Sequence, residues 1–525
     1  MSMSEKRSSI DLEAQLVFDR KLSAASEDQY PSTRSSSLTL VALPLDSPNG
    51  LKEKARADEP VLIAWDPLDP EHPFNWSKGK KMSVVFAGCF VTLLAGINAT
   101  HIAIINPIAS EYFRVTADQF TLSFTLYMIG VAWTPLFLAP LSELYGRNAI
   151  FQGSSLFVLL LSIPQATSSN FQGYLVARFF QGMASSVGAS MVSGTVADMY
   201  RPKNRGTGMN IFTLLNFTGQ AIGAVLFGWI TPLVGVQWTY GILGFIAAFS
   251  CLLNVCMFKE TRADILLARR ARRLTAETGK QHVIKLDESK PNVLRLMQTS
   301  LFRPLKFLVT EPIVTAVSMW FGFAWGCVFM GGTSVTLTFE QYGWNRGQLG
   351  SAQVAVFIGG FLGFVSNYHQ QYLYRRKAAK CGGQAPPEAR LIWAAYGGLL
   401  FPLGLFAFAW TGRPSIPWIV PMIFLCLSYW GIACIFSAIF NYLADAYETY
   451  SSSAQAAQSV ARNLIAAVLP LVARRMYKGM GYPQASSLVA SIALVLSLAP
   501  FLLMKYGKIL RQKSKVARSI EVESL

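Results

Sequence analysis

Charged residues are scarce in this sequence, and acidic residues are missing from the interior of its apolar segments. Of 525 residues only 14% are charged, whereas 52% are hydrophobic, and a soluble domain carries about 25% charged residues. Five acidic residues fall at the ends of apolar runs, namely Glu143, Asp198, Glu311, Glu340 and Asp445. The composition excludes a soluble globular protein and predicts a polytopic membrane protein.

Signals for metal binding, secretion and catalysis are absent as well. The seven cysteines show no metal-ligand spacing, so we interpret them as reduced packing residues. Residues 1–60 contain no apolar run behind a basic start, and we expect the first membrane helix to direct insertion. We find no Walker loop, metal-ligand cluster or nucleophile elbow. The sequence therefore predicts a protein that is not an enzyme and holds no cofactor or metal.

Basic residues dominate the charge, and their positions predict the topology. A net charge of +17 could indicate a nucleic-acid partner, but that function needs a basic face on a soluble domain. Here the basic residues lie between apolar runs, as in the cytosolic loops of membrane proteins, although Arg474, Arg475 and Lys478 depart from this pattern. We predict cytosolic termini, contact with membrane lipid and no nucleic-acid partner.

About twelve apolar runs, arranged as six and six, divide the chain. Each is close to the ~20 residues with which a helix crosses hydrocarbon, so we predict an all-α membrane protein. The predicted segments are a disordered cytosolic tail with a pre-helix segment (1–81), an N-terminal six-helix bundle (82–258), a cytosolic basic linker (259–310), a C-terminal six-helix bundle (311–504) and a cytosolic basic tail (505–525).

Two cytosolic segments have features of their own. Prolines between Pro60 and Lys78 forbid a continuous helix in the pre-helix segment, where Trp65 and Trp76 suit a headgroup boundary. The linker contains a helix-forming basic stretch that ends at Gly279. We expect this stretch to lie beside anionic lipid as an amphipathic helix. A site for a regulatory partner is the alternative.

A tight polar hairpin, residues 139–148, separates the second and third apolar runs. Pro140 and Gly146 are expected to supply its turn, because proline lacks an N–H and glycine tolerates positive φ. Glu143 and Arg147 place opposite charges at the membrane surface. An ordinary surface turn is the alternative interpretation.

Polar side chains recur at helical spacing within four apolar runs. An ionisable group at the bilayer centre costs about 2.5–3.5 kcal/mol, so such groups usually face a bundle interior or a watery cavity. The four stripes are Asn98 and His101; Arg178 and Gln181; Asn216 and Gln220; and Gln455, Gln458 and Arg462. Because each stripe shares one helix face, we predict a common polar cavity that binds substrate. The alternatives are hydrogen bonds between helices and, for Arg462, extension of its side chain to an interface.

The absence of acidic residues from the interior of the apolar runs predicts the chemistry of the ligand. A cavity for a cation would need a carboxylate at membrane depth, and we find none. We therefore predict an organic anion or an uncharged amphipath as substrate, with Arg178 or Arg462 as the counter-charge. Aromatic residues such as Trp325 and Tyr429 could line the cavity, although aromatic residues in membrane helices more often pack against neighbours or anchor at interfaces.

Several phrases resemble the major facilitator superfamily, and specifically its fungal drug:proton antiporter branch with twelve spans. The phrase from Pro140 to Arg147 resembles the signature loop between spans two and three, and the phrase from Ala177 to Gly182 resembles the span-four arginine motif. The resemblance implies two six-helix bundles that rock around a midplane site. It also implies a role for Arg178 in proton coupling.

The resemblance further implies a function and a gate. The function is proton-coupled export of an organic acid, secondary metabolite or amphipathic toxin by a monomer in the plasma membrane, with a vacuolar or vesicle membrane as the alternative. The gate is the hairpin with Gly146 as its turn residue, and Asp198, at the cytosolic end of the helix that carries Arg178, is expected to pair with Arg147. Glu143 is expected to face a helix N-terminus of the other bundle.

The span-five segment departs from the family pattern. The usual motif pairs glycine with proline twice, whereas this chain has Gly219-Gln220 and Gly223-Ala224. The loss of both prolines favours an alternative function, proton-coupled import of an organic anion. A third hypothesis, of another class, is a membrane nutrient sensor that does not transport.

Overall fold

Helices make up almost all of the computed structural model, which describes residues 61–201, 205–284, 293–381, 385–447 and 450–514. The predicted tail up to residue 60 and the end of the basic tail lie outside these residues. The elements, in chain order, are β1 (Val61–Ile63), α1 (Lys78–Tyr112), α2 (Ala117–Tyr145), α3 (Arg147–Thr167), α4 (Phe171–Ser186), α5 (Val192–Met199), α6 (Arg205–Met257), α7 (Ala263–Thr278), β2 (His282–Ile284), α8 (Val293–Thr310), α9 (Pro312–Glu340), α10 (Arg346–Ser351), α11 (Val354–Lys380), α12 (Ile392–Thr411), α13 (Ile419–Tyr447), α14 (Ser451–Met480), α15 (Tyr482–Leu496) and α16 (Ala499–Lys513).

Ten helices of the described residues are long and apolar enough to cross a membrane. One of them, Gly208–Met257, has 50 residues and would be about 75 Å long if straight, more than twice the ~30 Å hydrocarbon core. Gly235 interrupts it with φ 78° and ψ 179°, so the chain reverses there. The π-helical turn Val187–Met191 joins α4 and α5 into one further long segment. These interruptions account for the difference from the predicted twelve, which stays a prediction.

Two halves of the chain pack side by side. In the first half α1 packs against α6 and α2 against α4, while in the second half α9 packs against α14 and α12 against α13. The halves meet where α2 contacts α14 and where α6 contacts α10 and α11. Close approach depends on glycine, because a Cβ on Gly182 would lie 2.1 Å from the Tyr127 carbonyl oxygen.

The face that carries the linker, called here the linker face, holds a small structure that the sequence did not predict. β1 pairs in parallel with β2, with Val61 opposite His282. Asp69 forms an ion pair with Arg270 of α7, and the backbone N–H of Glu71 together with Arg270 holds the pKa of Asp69 below its usual value. The predicted glycine stop is present, since Gly279 ends α7 with φ 67°.

The two tryptophans of the pre-helix segment have a different role from the predicted one. Trp65 packs against the cluster of Leu267 and Ile284 in the linker. Trp76 is buried, and its Nε1 donates to the Glu71 carbonyl at 3.0 Å. Both residues therefore hold the pre-helix segment together rather than anchoring it at a headgroup boundary.

A second linker helix, α8, also escaped the sequence analysis. It packs against α2 of the first half and α14 of the second half. Its Phe307 lies against the rings of Tyr447 and Tyr450, with centroids 6.1 and 6.4 Å apart. The helix therefore bridges the two halves on the linker face.

Links on the opposite face are short. They are residues 113–116, 168–170, Gly235, residues 341–345 and 412–418, and Gly481. Gly481 lies between α14 and α15 with φ 86°, where glycine is favoured over other residues.

Candidate functional site

The hairpin on the linker face is tighter than the sequence suggested. α2 continues to Tyr145, and Gly146, with φ 96°, is the only residue before α3 starts at Arg147. Pro140 lies inside α2, so the expectation that it supplies the turn is wrong. One residue in a left-handed conformation is sufficient to reverse the chain.

The predicted contact between Arg147 and Asp198 is present. Arg147 Nε lies 2.9 Å from Asp198 Oδ2, and Arg147 Nη1 donates to Ser142 Oγ at 3.2 Å. Arg147 is only 8% exposed, so the pair is protected from solvent. It joins the start of α3 to the end of α5.

Glu260, which lies outside the hairpin but binds its backbone, is the residue that sequence reasoning missed. Its Oε1 accepts from the backbone N–H of Arg147 at 3.0 Å, and its Oε2 accepts from that of Asn148 at 3.2 Å. A carboxylate is favoured there because the N–H groups at a helix N-terminus are otherwise unpaired. Glu143, to which we assigned such a position, is exposed and has no ion pair among the described residues. The available signal was the acidic residue just past the sixth apolar run.

Arg178 lies in a buried polar cluster of the first half. It has no exposed surface, its Nη1 donates to Gln181 Oε1 at 2.6 Å, and its Nη2 donates to the Asn98 carbonyl at 2.8 Å. The guanidinium carbon lies 4.6 Å from the centre of the Tyr127 ring. Neutral acceptors and an aromatic face therefore replace a carboxylate partner.

His101 belongs to the same cluster. Its Nδ1 donates to the Ile97 carbonyl at 3.0 Å, and its ring lies 5.6 Å from the rings of both Phe227 and Tyr240. The Tyr240 hydroxyl is hydrogen-bonded to that of Tyr174. Sequence reasoning missed the three tyrosines of this cluster, because a tyrosine in an apolar run gives no signal of its hydroxyl partner.

A cavity separates the two halves nearer the opposite face. Its lining includes Thr100, Asn106, Gln220 and Phe124 from the first half and Phe329 and Gln353 from the second. Gln220 Nε2 donates to Asn216 Oδ1 at 2.9 Å. Neither Arg178 nor Arg462 lines this cavity. The expectation of one cavity shared by all four stripes is therefore not met in this arrangement.

Arg462 lies in an aromatic cage in the second half. Four rings surround its guanidinium carbon at 5.2–5.8 Å, two from α9 and two from α13. They are Phe321, Trp325, Phe436 and Phe440. Nη2 donates weakly to Ser459 Oγ at 3.3 Å, whereas Nε and Nη1 are buried without a partner among the described residues. The phenylalanines were missed, since aromatic residues at helical spacing are typical of any packed core.

Two other predicted residues accompany Arg462 on α14. Gln458 is fully buried, and both atoms of its amide lack a partner among the described residues. Gln455 is half-buried one turn closer to the linker face. Tyr429, in contrast, lines a separate small cavity with Cys327 and Tyr477, so it does not belong to the cage.

Comparison with known proteins assigns the chain to a family. The family model of the Major Facilitator Superfamily matches residues 88–471. The chain belongs to the Major Facilitator Superfamily. The resemblance found in the sequence motifs is thereby confirmed, and the paired halves are those of the superfamily fold. The structure shows no group of three or more possible metal ligands among its described residues.

Relatives within the superfamily are fungal proteins named as efflux pumps or as a multidrug transporter. The chain is 35% identical to the MFS-type efflux pump MFS2 of Trichophyton rubrum, covering 87% of this chain and 78% of the relative. It is 35% identical to the efflux pump FUB11 of Gibberella moniliformis, over 77% of this chain and 69% of that pump. It is 32% identical to the multidrug transporter mdrA of Aspergillus fumigatus, over 89% and 77%.

Solved superfamily structures share the fold at low identity. The human organic anion transporter MFSD10 superposes with a TM-score of 0.57 at 15% identity, over 80% of this chain and 99% of that protein. The proton:xylose symporter XylE superposes with a TM-score of 0.58 at 13% identity, over 82% and 96%.

In this superfamily member the halves contact each other on both faces. On the opposite face Asp118 pairs with Arg475 at 3.1 Å, and Trp229 Nε1 donates to Ser351 Oγ at 3.0 Å. Towards the linker face Asn367 of α11 donates to Asn210 of α6. A movement of the halves that opens either face must break one of these sets.

Proposed function

We propose that this protein is a secondary transporter that exports a small organic molecule by proton-coupled alternating access. The substrate is an organic acid, a secondary metabolite or an amphipathic toxin. Membership of the superfamily and the efflux relatives support this proposal. The observation that carries the substrate chemistry is Arg462, a buried cation inside a ring of aromatic side chains, with two donor atoms that have no partner among the described residues.

The cage fits a flat anion. A guanidinium donates strong, charge-assisted hydrogen bonds to carboxylate oxygens, and the N–H groups of Nε and Nη1 have no partner among the described residues. The rings at 5.2–5.8 Å already attract the guanidinium through their faces, and they would pack equally well against an apolar ligand body. A cationic ligand finds no carboxylate in the cage, and the described carboxylates lie at helix ends, in the pre-helix segment or in the segments that connect helices on the linker face.

We also propose an energy source, a membrane and an oligomeric state for the transporter. Its energy source is the proton gradient, its membrane is the plasma membrane, with a vacuolar or vesicle membrane as the alternative, and its working form is a monomer in lipid. It has no nucleic-acid partner, needs no cofactor or metal, and catalyses no reaction.

Import of an organic anion is the second candidate function. α6 is a continuous helix past Gly219 and Gly223, where the family motif would place prolines that kink the helix. A Cβ on Gly219 would lie 2.4 Å from the Leu93 carbonyl oxygen, so the glycines that remain allow close contact with α1. A fifth span without the two prolines, and with no interruption at these glycines, is the feature that favours import.

Three probes that share a naphthalene ring and carry an anionic, a neutral or a cationic polar group test the substrate chemistry. In proteoliposomes with an imposed pH gradient, we expect flux of 2-naphthalenesulfonate that a protonophore abolishes. Neutral 2-naphthalenemethanol should compete with this flux, whereas a naphthylmethyl-trimethylammonium cation should not. Competition by the cation alone would contradict the proposal.

Accumulation in cells decides the direction. Yeast that expresses the protein should accumulate less 2-naphthoate than control cells if the protein exports. Higher accumulation than in control cells would support import instead.

A further inference from the structure

His101 is a buried histidine inside a long membrane-spanning helix. It has no exposed surface, whereas the other described histidines, His72, His282 and His369, are at least partly exposed. Imidazole is the side chain whose ordinary pKa lies nearest to neutral pH. The described carboxylates lie at helix ends, in the pre-helix segment or in the segments that connect helices on the linker face, so a proton that binds at membrane depth has few other acceptors.

The hydrogen bond of His101 identifies its tautomer. Nδ1 lies 3.0 Å from the Ile97 carbonyl oxygen, and a carbonyl can only accept. Nδ1 therefore carries the hydrogen, and Nε2 presents a lone pair. Nε2 is buried and has no partner among the described residues. A basic atom with a free lone pair is the group that a proton requires.

The neighbours of His101 determine the effect of that proton. Arg178 of α4 belongs to the same buried cluster, because its Nη2 donates to the carbonyl of Asn98, which lies about one turn before His101 on α1. The other titratable groups nearby are the hydroxyls of Tyr174 and Tyr240, and Tyr127 lies on the far side of Arg178. No described carboxylate faces the cluster. A second positive charge beside Arg178 would therefore be repelled and uncompensated.

We propose that Nε2 of His101 is the proton-binding site that couples this transporter to the pH gradient, an inference that rests on the proposed function. Water that reaches the cluster when the halves part on the opposite face delivers the proton to Nε2. The resulting imidazolium and Arg178 repel each other, so the protonated cluster is stable only when water or an anion is admitted. Loss of the proton to water on the linker side restores the closed cluster.

The first experiment measures the proton directly and needs no substrate. The chain has four histidines, so ¹⁵N-histidine-labelled protein in nanodiscs gives few imidazole signals, and His101→Asn assigns the relevant one. At pH 8 we expect an unprotonated Nε2, and protonation when the pH is lowered. Arg178→Gln removes the neighbouring charge, so His101 should take up its proton at higher pH in that variant. A hydrogen on Nε2 at pH 8 would overturn the proposal. So would a His101 signal that does not change with pH in either the wild type or Arg178→Gln.

The second experiment links the proton to transport. With 2-naphthalenesulfonate as probe, flux with a pH gradient is divided by exchange at equal pH on both sides, and we expect this ratio to fall most of the way to one in His101→Asn. His369→Asn is the matched control, because His369 lies exposed on α11 against Trp393, and it should behave as wild type. Wild-type acceleration in His101→Asn would refute the proposal. If wild-type protein moves none of the probes, the proposed function fails, and the NMR titration still decides whether His101 binds the proton.

Discussion

Arg178 and Arg462 are two buried arginines that the protein accommodates in opposite ways. Arg178 donates to two neutral acceptors at 2.6 and 2.8 Å, and only its Nε lacks a partner among the described residues. Arg462 makes one weak bond of 3.3 Å and otherwise faces aromatic rings. A charge held by good hydrogen bonds supports the fold, whereas a charge with free donors retains its capacity to bind.

The two arginines also differ in depth. Arg178 lies about two turns from the start of α4, which begins on the opposite face, and Arg462 lies about three turns from the start of α14, which begins on the linker face. Their positions give each half one cation, one beside His101 and one beside aromatic rings. The two proposals together assign proton coupling to the first half and substrate binding to the second.

The largest expected effect comes from Arg462→Met, which replaces the cation by an apolar side chain of similar length. A hydrogen bond to a charged group contributes about 1.5–3 kcal/mol, so binding of 2-naphthalenesulfonate should weaken by roughly 10- to 100-fold. The apparent melting temperature should stay equal or rise, because a poorly paired buried charge is removed. Fluorescence titration and thermal unfolding in nanodiscs measure both. A lower melting temperature with unchanged binding would contradict this role of Arg462.

Arg178→Met should show the reverse pattern. It leaves the Gln181 side chain and the Asn98 carbonyl without their donor, and each unsatisfied buried group costs about 1–3 kcal/mol. The melting temperature should fall, while binding of the same probe changes less than in Arg462→Met. Arg178→Lys, which keeps a charged donor, should recover part of the loss. If Arg178→Met melts like wild type, the contrast between the two arginines is wrong.

The smallest effect is expected for Arg475→Gln, an arginine outside both clusters. Arg475 is 81% exposed beside Asp118, and an exposed ion pair contributes only about 0–1 kcal/mol. The melting temperature should be unchanged at 0.15 M salt, where the Debye length is about 8 Å. Asp118→Asn is the matched control and should behave alike. A drop as large as that of Arg178→Met would show that buried position is not what distinguishes the first two variants.

The sequence predicted the family, the membrane helices and the pairing of Arg147 with Asp198, because these depend on local composition and on motifs. It also found Arg178 and Arg462, since a charge inside an apolar run is conspicuous. It did not find Glu260, Tyr240 or Phe436, whose roles arise only when distant helices meet. The expected turn at Pro140 is absent, because a proline in a membrane helix does not have to end that helix.

The short links between helices on the opposite face limit how that face can be reached. None of the Asn-x-Ser/Thr sequences of the chain falls within them, so these links offer no acceptor for an N-linked glycan. Proteases prefer exposed loop tips, and an antibody needs a surface of comparable extent, whereas two of these links are single glycines. From that side the protein presents little to digest, decorate or recognise, and an epitope for topology mapping has to be inserted, most readily at residues 412–418.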